Sequence, residues 1–290
     1  MLTPSISLGK QKMRVLDNEI AIQPFLKWAG GKRWLIDNYS EIFPRTFNRY
    51  IEPFLGGGAV FFRLKPSSSI LSDANPDLIA TYQTIKADWQ ALLERLHSHQ
   101  EKHDKTYYYK IRAFVPNDPI ERAARFIYLN RTCWNGLYRV NKHGEFNVPI
   151  GTKENVLLNS DDFPLTSLTL SNASLEACDF EKTIDQACEG DLIFADPPYT
   201  VKHNLNGFVK YNQKMFSWDD QIRLRDALER AVARGAWVIS SNANHECIHD
   251  LYRDRFKVGV VPRKSVIAAS SSKRGDTSEL IIAGGNAWMI

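Results

Sequence analysis

In the stretch DLIFADPPYT (191–200), Asp196, Pro197, Pro198 and Tyr199 directly follow four apolar residues. Proline has no N–H to give a strand ladder, and it drives the residue before it to extended geometry. The chain therefore stops pairing and leaves as a stiff loop. That loop carries a carboxylate, carbonyls at 196 and 197 that no regular element uses, and an aromatic ring. Such a platform suits a planar, polar ligand held by stacking and by hydrogen-bond acceptors.

A second chemical signal is EPFLGGGAVFF (52–62), where Gly56, Gly57 and Gly58 stand between a strand and an incipient helix. Glycines there permit a tight turn and close approach of a ligand to the backbone. Asp73 ends the next strand, 17 residues beyond Gly56. An acid so placed accepts hydrogen bonds from ribose hydroxyls. On its own a glycine-rich loop is equally a plain turn; Asp73 favours a nucleoside site. FLKWAGGKRWL (25–35) looks like a phosphate loop but has Leu26 and Arg33 where that motif needs Gly and Ser or Thr. Nucleotide hydrolysis loses its motif, and Trp28 remains as an aromatic face for an adenine ring or for the core.

Other chemistries fare worse. HECIH (245–249) matches H-E-x-x-H, but no third ligand follows, and His245 and His249 read as surface residues of a helix flanking the sheet. There is no G-x-S-x-G nucleophile elbow. Asp161-Asp162 reads as a solvated pair in a loop.

The elements that must carry these residues are short apolar runs: RYIEPF (49–54), SSILSD (68–73), LTLSN (168–172), DLIFAD (191–196), AWVISSN (236–242), FKVGVV (256–261) and ELIIA (279–283). Several are continuous rather than alternating, the mark of strands covered on both faces. WDDQIRLRDALERAVARG (218–235) separates two of them, with helical spacing, Asp at its start and Gly at its end. Alternating strands and helices predict an α/β fold on a mostly parallel sheet. Residues 76–160 differ. Two helical patterns, at 77–100 and 118–134, precede NGLYRVNKHGEFNVPIG, with hairpin signals at Asn135-Gly136 and His143-Gly144. This basic, aromatic stretch reads as an inserted helical module with a projecting hairpin. Residues 1–20 read as a loosely held tail.

The bulk numbers are permissive. The chain has 290 residues with a formal charge of +4, which fits an anionic partner without requiring one. Four scattered cysteines without a C-x-x-C pair argue against a disulfide framework or a cysteine zinc cluster. The N-terminus lacks the apolar centre of a signal peptide, and no run of about 18 apolar residues exists to span a membrane. A cytoplasmic setting follows.

FLKWAGGK, YIEPFLGGGAVFF, LSDANPDL, RFIYLNRTCWNGLYRVNKHGEFNVPIG and DLIFADPPY, in that order, resemble the Dam-type DNA adenine-N6 methyltransferases (D12 class, alpha group). The resemblance covers nearly the whole chain after residue 22. It implies a Rossmann-like methyltransferase sheet (21–75 and 161–290) that binds S-adenosylmethionine (SAM) and releases S-adenosylhomocysteine, without a metal. A target-recognition domain (76–160) would be inserted before the D-P-P-Y strand.

Carried over position by position, Trp28, Lys32, Phe54, Gly56, Gly58, Asp73, Asp179, Phe180 and Asp196 match the cofactor site. Asp196, Pro197, Pro198 and Tyr199 match the catalytic motif. The family flips its adenine out of the duplex; Tyr199 would stack on it, while the Asp196 carboxylate and the Pro197 carbonyl take both amine hydrogens. Arg139 would read a guanine, Leu137 and Pro149 a thymine, and Lys27 the first base pair. Trp134 and Asn135 match residues that intrude at the flipped-out site, although the family pattern has Tyr or Phe at the first. Arg131 would bind phosphate or support the hairpin. The implied site is GATC or a longer one beginning with GAT, in double-stranded DNA. The resemblance also implies a monomer in a bacterial nucleoid or phage-infected cell, with a cognate restriction endonuclease as one family setting. Rival readings are a SAM-dependent methyltransferase of a protein or small-molecule amide, a non-catalytic DNA-binding module and a zinc hydrolase. Asp rather than Asn before the prolines and the basic hairpin favour DNA, and the intact D-P-P-Y and glycine loop favour catalysis.

Overall fold

A computed structural model describes residues 22–136, 138–141, 144–201, 216–264 and 276–285. The tail expected at 1–20, Leu137 and the turn residue His143 lie outside them. The strands are β1 (Tyr50–Glu52), β2 (Ser69–Asp73), β3 (Ala173–Ala177), β4 (Leu192–Ala195), β5 (Trp237–Ala243), β6 (Lys257–Lys264) and β7 (Asp276–Gly284). They form one sheet in the order β3-β2-β1-β4-β5-β7-β6. All neighbours pair in parallel except β7, which runs antiparallel between β5 and β6. β1 is flanked by β2 on one side and β4 on the other, so the order reverses there. The crevice at the carboxyl ends of such strands is where open α/β sheets take their ligands. This is the Rossmann-like, mostly parallel α/β sheet expected from the sequence and its resemblance.

Helices α1 (Arg33–Asn38), α2 (Ala59–Leu64), α3 (Pro76–Lys102), α4 (Lys105–Ala113), α5 (Pro119–Thr132), α6 (Phe163–Leu170), α7 (Phe180–Ile184), α8 (Trp218–Ala233) and α9 (Glu246–Tyr252) connect and cover the sheet. Their starts are written in the sequence. Asn75 and Asp118 each cap a helix whose next residue is proline, and Ser217 with Asp220 closes a capping box on α8. α3 breaks at Asp88, which is non-helical. Before the break, Lys86 and Gln83 donate to backbone carbonyls of β3, and α3 as a whole packs on α5, with Arg122 of α5 paired to Asp77 in the first turn of α3.

Alternate residues of β4 face opposite ways. Leu192 and Phe194 join a core shared with α3, α5 and the N-terminal segment, whereas Ile193 and Ala195 join a second core under α8. Burial on both faces is why this strand reads as an unbroken apolar run. Each such large side chain contributes roughly 1.5–3 kcal/mol.

One strand was misread. LTLSN is not a strand: its first residues end α6, and β3 begins at Ala173. Asp162 caps α6, accepting from the Leu165 N–H, with proline in the first turn, which commits Phe163–Leu170 to helix. β3 is an edge strand of mixed burial, so its sequence lacks the apolar run that marks β4. Helix α4 carried no clear signal; Asp104 caps it.

Candidate active site

Asp196 leaves the carboxyl end of β4 and is met at once by two other elements. Ser241 Oγ, from β5, donates to Asp196 Oδ1 at 2.7 Å. The Lys32 ammonium, at the start of α1, lies 2.9 Å from the same oxygen and also donates to the Gly30 carbonyl at 2.7 Å. Burial lifts the Asp196 carboxyl above its ordinary range; Lys32 and Ser241 work against that lift. The Lys32 ammonium sits 5.0 Å from the centroid of the Tyr199 ring. The Tyr199 hydroxyl donates to Glu279 Oε2, on β7, at 2.7 Å. Glu279 is buried, lies 3.6 Å from Lys32 and pairs with Arg263 of β6. Burial, and then the charges of Asp196 and Glu279, push the Tyr199 phenol well above its usual value. Pro197 and Pro198 connect Asp196 to Tyr199, and Thr200 Oγ1 closes the loop by donating to the Phe216 carbonyl at 2.7 Å.

The glycine loop lies one strand over. Gly56 and Gly58 have φ of +49° and +65°, a region that side chains rarely adopt. Asp73 Oδ2 accepts from the Gly56 N–H at 3.0 Å and Oδ1 from the Asn75 N–H at 2.9 Å. Trp28 lies against this loop: a Cβ on Gly56 would come within 2.7 Å of its Cδ1. Its ring also stacks on Tyr138 and Phe126 of the inserted module, at 6.2 and 6.4 Å between centroids. Trp28 thus joins the loop to that module. Between Asp73 and Asp196 stands Glu52, at the end of β1. It is 3% exposed and accepts from the Tyr50 hydroxyl at 2.9 Å. Burial chiefly, then the charges of Asp196 and Asp73, hold its carboxyl well above the ordinary range. Acids from β2, β1 and β4 therefore line the sheet edge in strand order, suited to a cationic ligand. Phe54 stacks on Phe180 at 5.3 Å. Asp179 caps α7 through the Glu181 N–H and pairs with Arg223 at 2.8 Å, half exposed.

The inserted module holds the third group of residues. Asn130 is bonded to both backbone groups of Lys27, at 2.9 and 2.8 Å, which fixes that lysine beside Gly136. Asn135 (φ +57°) and Gly136 (φ +64°) turn the chain into the hairpin foreseen from the sequence. Cross-strand bridges pair Cys133 with Ile150 and Val140 with Phe146. Trp134, Asn135 and Pro149 are exposed; Arg139 Nε reaches across to Asn147 Oδ1 at 3.0 Å. Arg131 stands apart. It is 2% exposed, bonded twice to Asp161 at 2.6 and 2.7 Å, and donates to the carbonyls of Phe25 and Val156. Its guanidinium does not face solvent in this arrangement. Asp161 is correspondingly not a solvated residue, since both its oxygens find internal donors, and Asp162 is a helix cap whose Oδ1 accepts from the Leu165 N–H.

His245 caps α9 by accepting from the Cys247 N–H, and His249 Nε2 lies 3.0 Å from Asn244 Oδ1. Among the described residues no group of three or more His, Cys, Asp and Glu is arranged to hold a metal. Sequence reasoning missed Glu52, Ser241, Arg263 and Glu279. Glu52 had a signal: like Asp196 it is an acid between a strand and a proline. Glu279 opens the strand candidate ELIIA, where no neighbouring glycine or proline marks it.

A family model described as D12 class N6 adenine-specific DNA methyltransferase matches residues 28–267. The Type II methyltransferase M1.LlaDCHI of Lactococcus lactis subsp. cremoris is 36% identical over 274 residues, 91% of this chain and 96% of that protein. The Type II methyltransferase M.MjaIII of Methanocaldococcus jannaschii is 37% identical over 278 residues, 88% and 96% respectively. The DNA adenine methylase of Haemophilus influenzae is 33% identical over 280 residues, 94% and 97%.

Proposed function

Since the chain belongs to the D12 class of N6 adenine-specific DNA methyltransferases, we propose that it methylates adenine in GATC, or in a longer site beginning with GAT, after flipping the base from the duplex. DNA is the substrate of this class and SAM the expected methyl donor. The observation that carries the reading is the Asp196 carboxylate and the Tyr199 ring, side by side at the sheet's switch point and both tied to the one Lys32 ammonium.

The residues present fit the cofactor. Gly56 and Gly58 permit the left-handed turn that lets the loop pack directly on Trp28, Trp28 offers an aromatic face beside it, and Glu52, Asp73 and Asp196 form an acidic edge. Phe54 and Phe180 would flank an adenine, with Asp179 beside them. Bound there, SAM would supply a methyl group on a positively charged sulfur. Tyr199 would stack on the extruded base, while Asp196 and the Pro197 carbonyl accept the two amine hydrogens. Holding those hydrogens localises the nitrogen lone pair and aims it. The gain is one of positioning and oriented acceptors. A raised carboxyl at Asp196 also suits it to take the proton released at the nitrogen.

Residues 76–160 would read the DNA. The exposed hairpin supports Arg139 as the guanine reader, with Lys27 and Pro149 beside it and Leu137 completing the set. Exposed Trp134 and Asn135 suit intrusion where the base leaves. Burial of Arg131 supports its role in holding the hairpin rather than a phosphate. Relatives named Type II methyltransferases support a restriction-modification setting. The test is to incubate the protein with unmethylated genomic DNA and labelled SAM and to map modified adenines. Label confined to GAT-containing sites is expected; methylation of adenines without shared context, or of protein alone, would overturn the reading.

A further inference from the structure

We propose that Glu279 is a positioning residue for methyl transfer, anchoring the Tyr199 hydroxyl and sharing the Lys32 ammonium with Asp196. This rests on the reading above, in which Tyr199 stacks on the target base. A tyrosine at the end of a proline loop is attached to the protein only through its Cα, and its ring is free to swing about two bonds. Here the far end is held as well, by a 2.7 Å bond to a carboxylate oxygen. The carboxylate starts from rigid ground. Glu279 pairs with Ala243 of β5 on one side and Val261 of β6 on the other, so its backbone is clamped inside the sheet.

Its remaining charge is answered by Arg263 and by Lys32 at 3.6 Å. The second contact matters for chemistry. Lys32 stands between the two carboxylates, nearer Asp196 at 2.9 Å, and above the Tyr199 ring. Glu279 thereby fixes the ring that would stack on the base and the cation that steadies the acceptor of its amine hydrogens. Had Glu279 served only to neutralise Arg263, nothing would require its oxygen to reach Tyr199. A buried carboxylate accepting a hydroxyl is among the stronger hydrogen bonds in proteins.

The experiment is a double-mutant cycle read in kcat on a GATC duplex, with SAM affinity measured in parallel. Glu279→Ala is expected to lower kcat about 10- to 100-fold, the range for a lost charge-assisted hydrogen bond, with SAM affinity within about threefold of wild type. Glu279→Gln, whose amide oxygen can still accept from Tyr199, is expected to recover most of that loss. In a Tyr199→Phe background, Glu279→Ala should cost far less than it does alone, because the shared bond is already gone. Wild-type kcat in Glu279→Ala, or independent multiplying losses in the double variant, would overturn the inference. Should Glu279→Ala fail to fold, Tyr199→Phe decides: about tenfold slower supports the anchor, and full speed removes it. Wild-type protein that leaves DNA unmethylated would instead defeat the functional reading itself.

Discussion

The Lys32 ammonium and the Asp196 carboxylate form a close ion pair, 2.9 Å apart, with 3% and 17% of their side chains exposed. Burial raises the Asp196 carboxyl and Lys32 restrains it. Only the ionised form can accept both from Lys32 and from a substrate amine, and that form exists above the raised pKa. Activity should therefore fall, as pH is lowered, at a higher pH than an ordinary carboxylate would give. Lys32→Met removes the restraining cation and should move that acid limb further up. Initial rates at saturating SAM across pH test this; superimposable acid limbs for the two proteins would contradict it.

Gly56→Ala puts a methyl group into a left-handed turn and within 2.7 Å of Trp28. Strain of about 1–3 kcal/mol, felt by the loop or relieved by moving the indole, should weaken SAM binding by about 5- to 100-fold. Calorimetric titration measures it. Unchanged affinity would mean that Trp28 and the glycine loop do not form the cofactor cradle.

Arg139 lies on the hairpin, where its guanidinium can meet a base edge. Arg139→Ala should cost about 1–3 kcal/mol at one guanine and relax specificity there. Competing duplexes with single substitutions report this directly. An equal loss on every sequence would assign the residue to the backbone instead.

Arg131→Ala should behave differently. It strands Asp161, which is 8% exposed, and should destabilise the fold by about 3–5 kcal/mol. Removing both partners should restore part of that loss. Denaturant unfolding separates the cases; a stable Arg131→Ala protein defective only in DNA affinity would refute the supporting role.

His99 stacks on Tyr128 with its ring centre 4.8 Å away, and burial lowers its pKa to about 4 from 6.5. Between those values the unfolded chain binds the extra proton and the folded one does not. Its stabilising neutral form is thus complete above about pH 6.5 and loses ground steadily toward pH 4, by about 3 kcal/mol at most. His99→Phe keeps the stack and should flatten the decline, as urea midpoints at pH 7 and pH 4.5 would reveal.

The strands β1, β2, β4 and β5 were legible because central strands of a parallel sheet are apolar on both faces, and β6 and β7 because each carries a short apolar run. β3 was not: its edge position leaves its sequence mixed, and the capped helix before it ended in apolar residues of its own. Within the site, residues next to glycines and prolines stood out, since those residues bend the backbone in readable ways. Glu52 stood beside a proline too, yet nothing in its neighbours told of its burial. Glu279, Ser241 and Arg263 come from strands whose partners are distant in sequence, so their meeting depends on strand order, which no local pattern records. Asp161 read as a solvated loop acid, and Arg131 as a phosphate ligand or hairpin support, because their pairing spans 30 positions.

The reversed strand has a consequence for how the molecule is born. Among the described strands β7 is the last to be synthesised, yet it lies inside the sheet, and among the described residues β6 pairs with no other strand. Until residues 276–284 arrive, β5 offers an apolar, hydrogen-bond-hungry border to any similar strand nearby. A polypeptide stalled just upstream would be adhesive and would also lack Glu279, the acid that meets Tyr199 and Lys32. Synthesis should thus yield either a finished catalyst or a substrate for chaperones and proteases, with little in between.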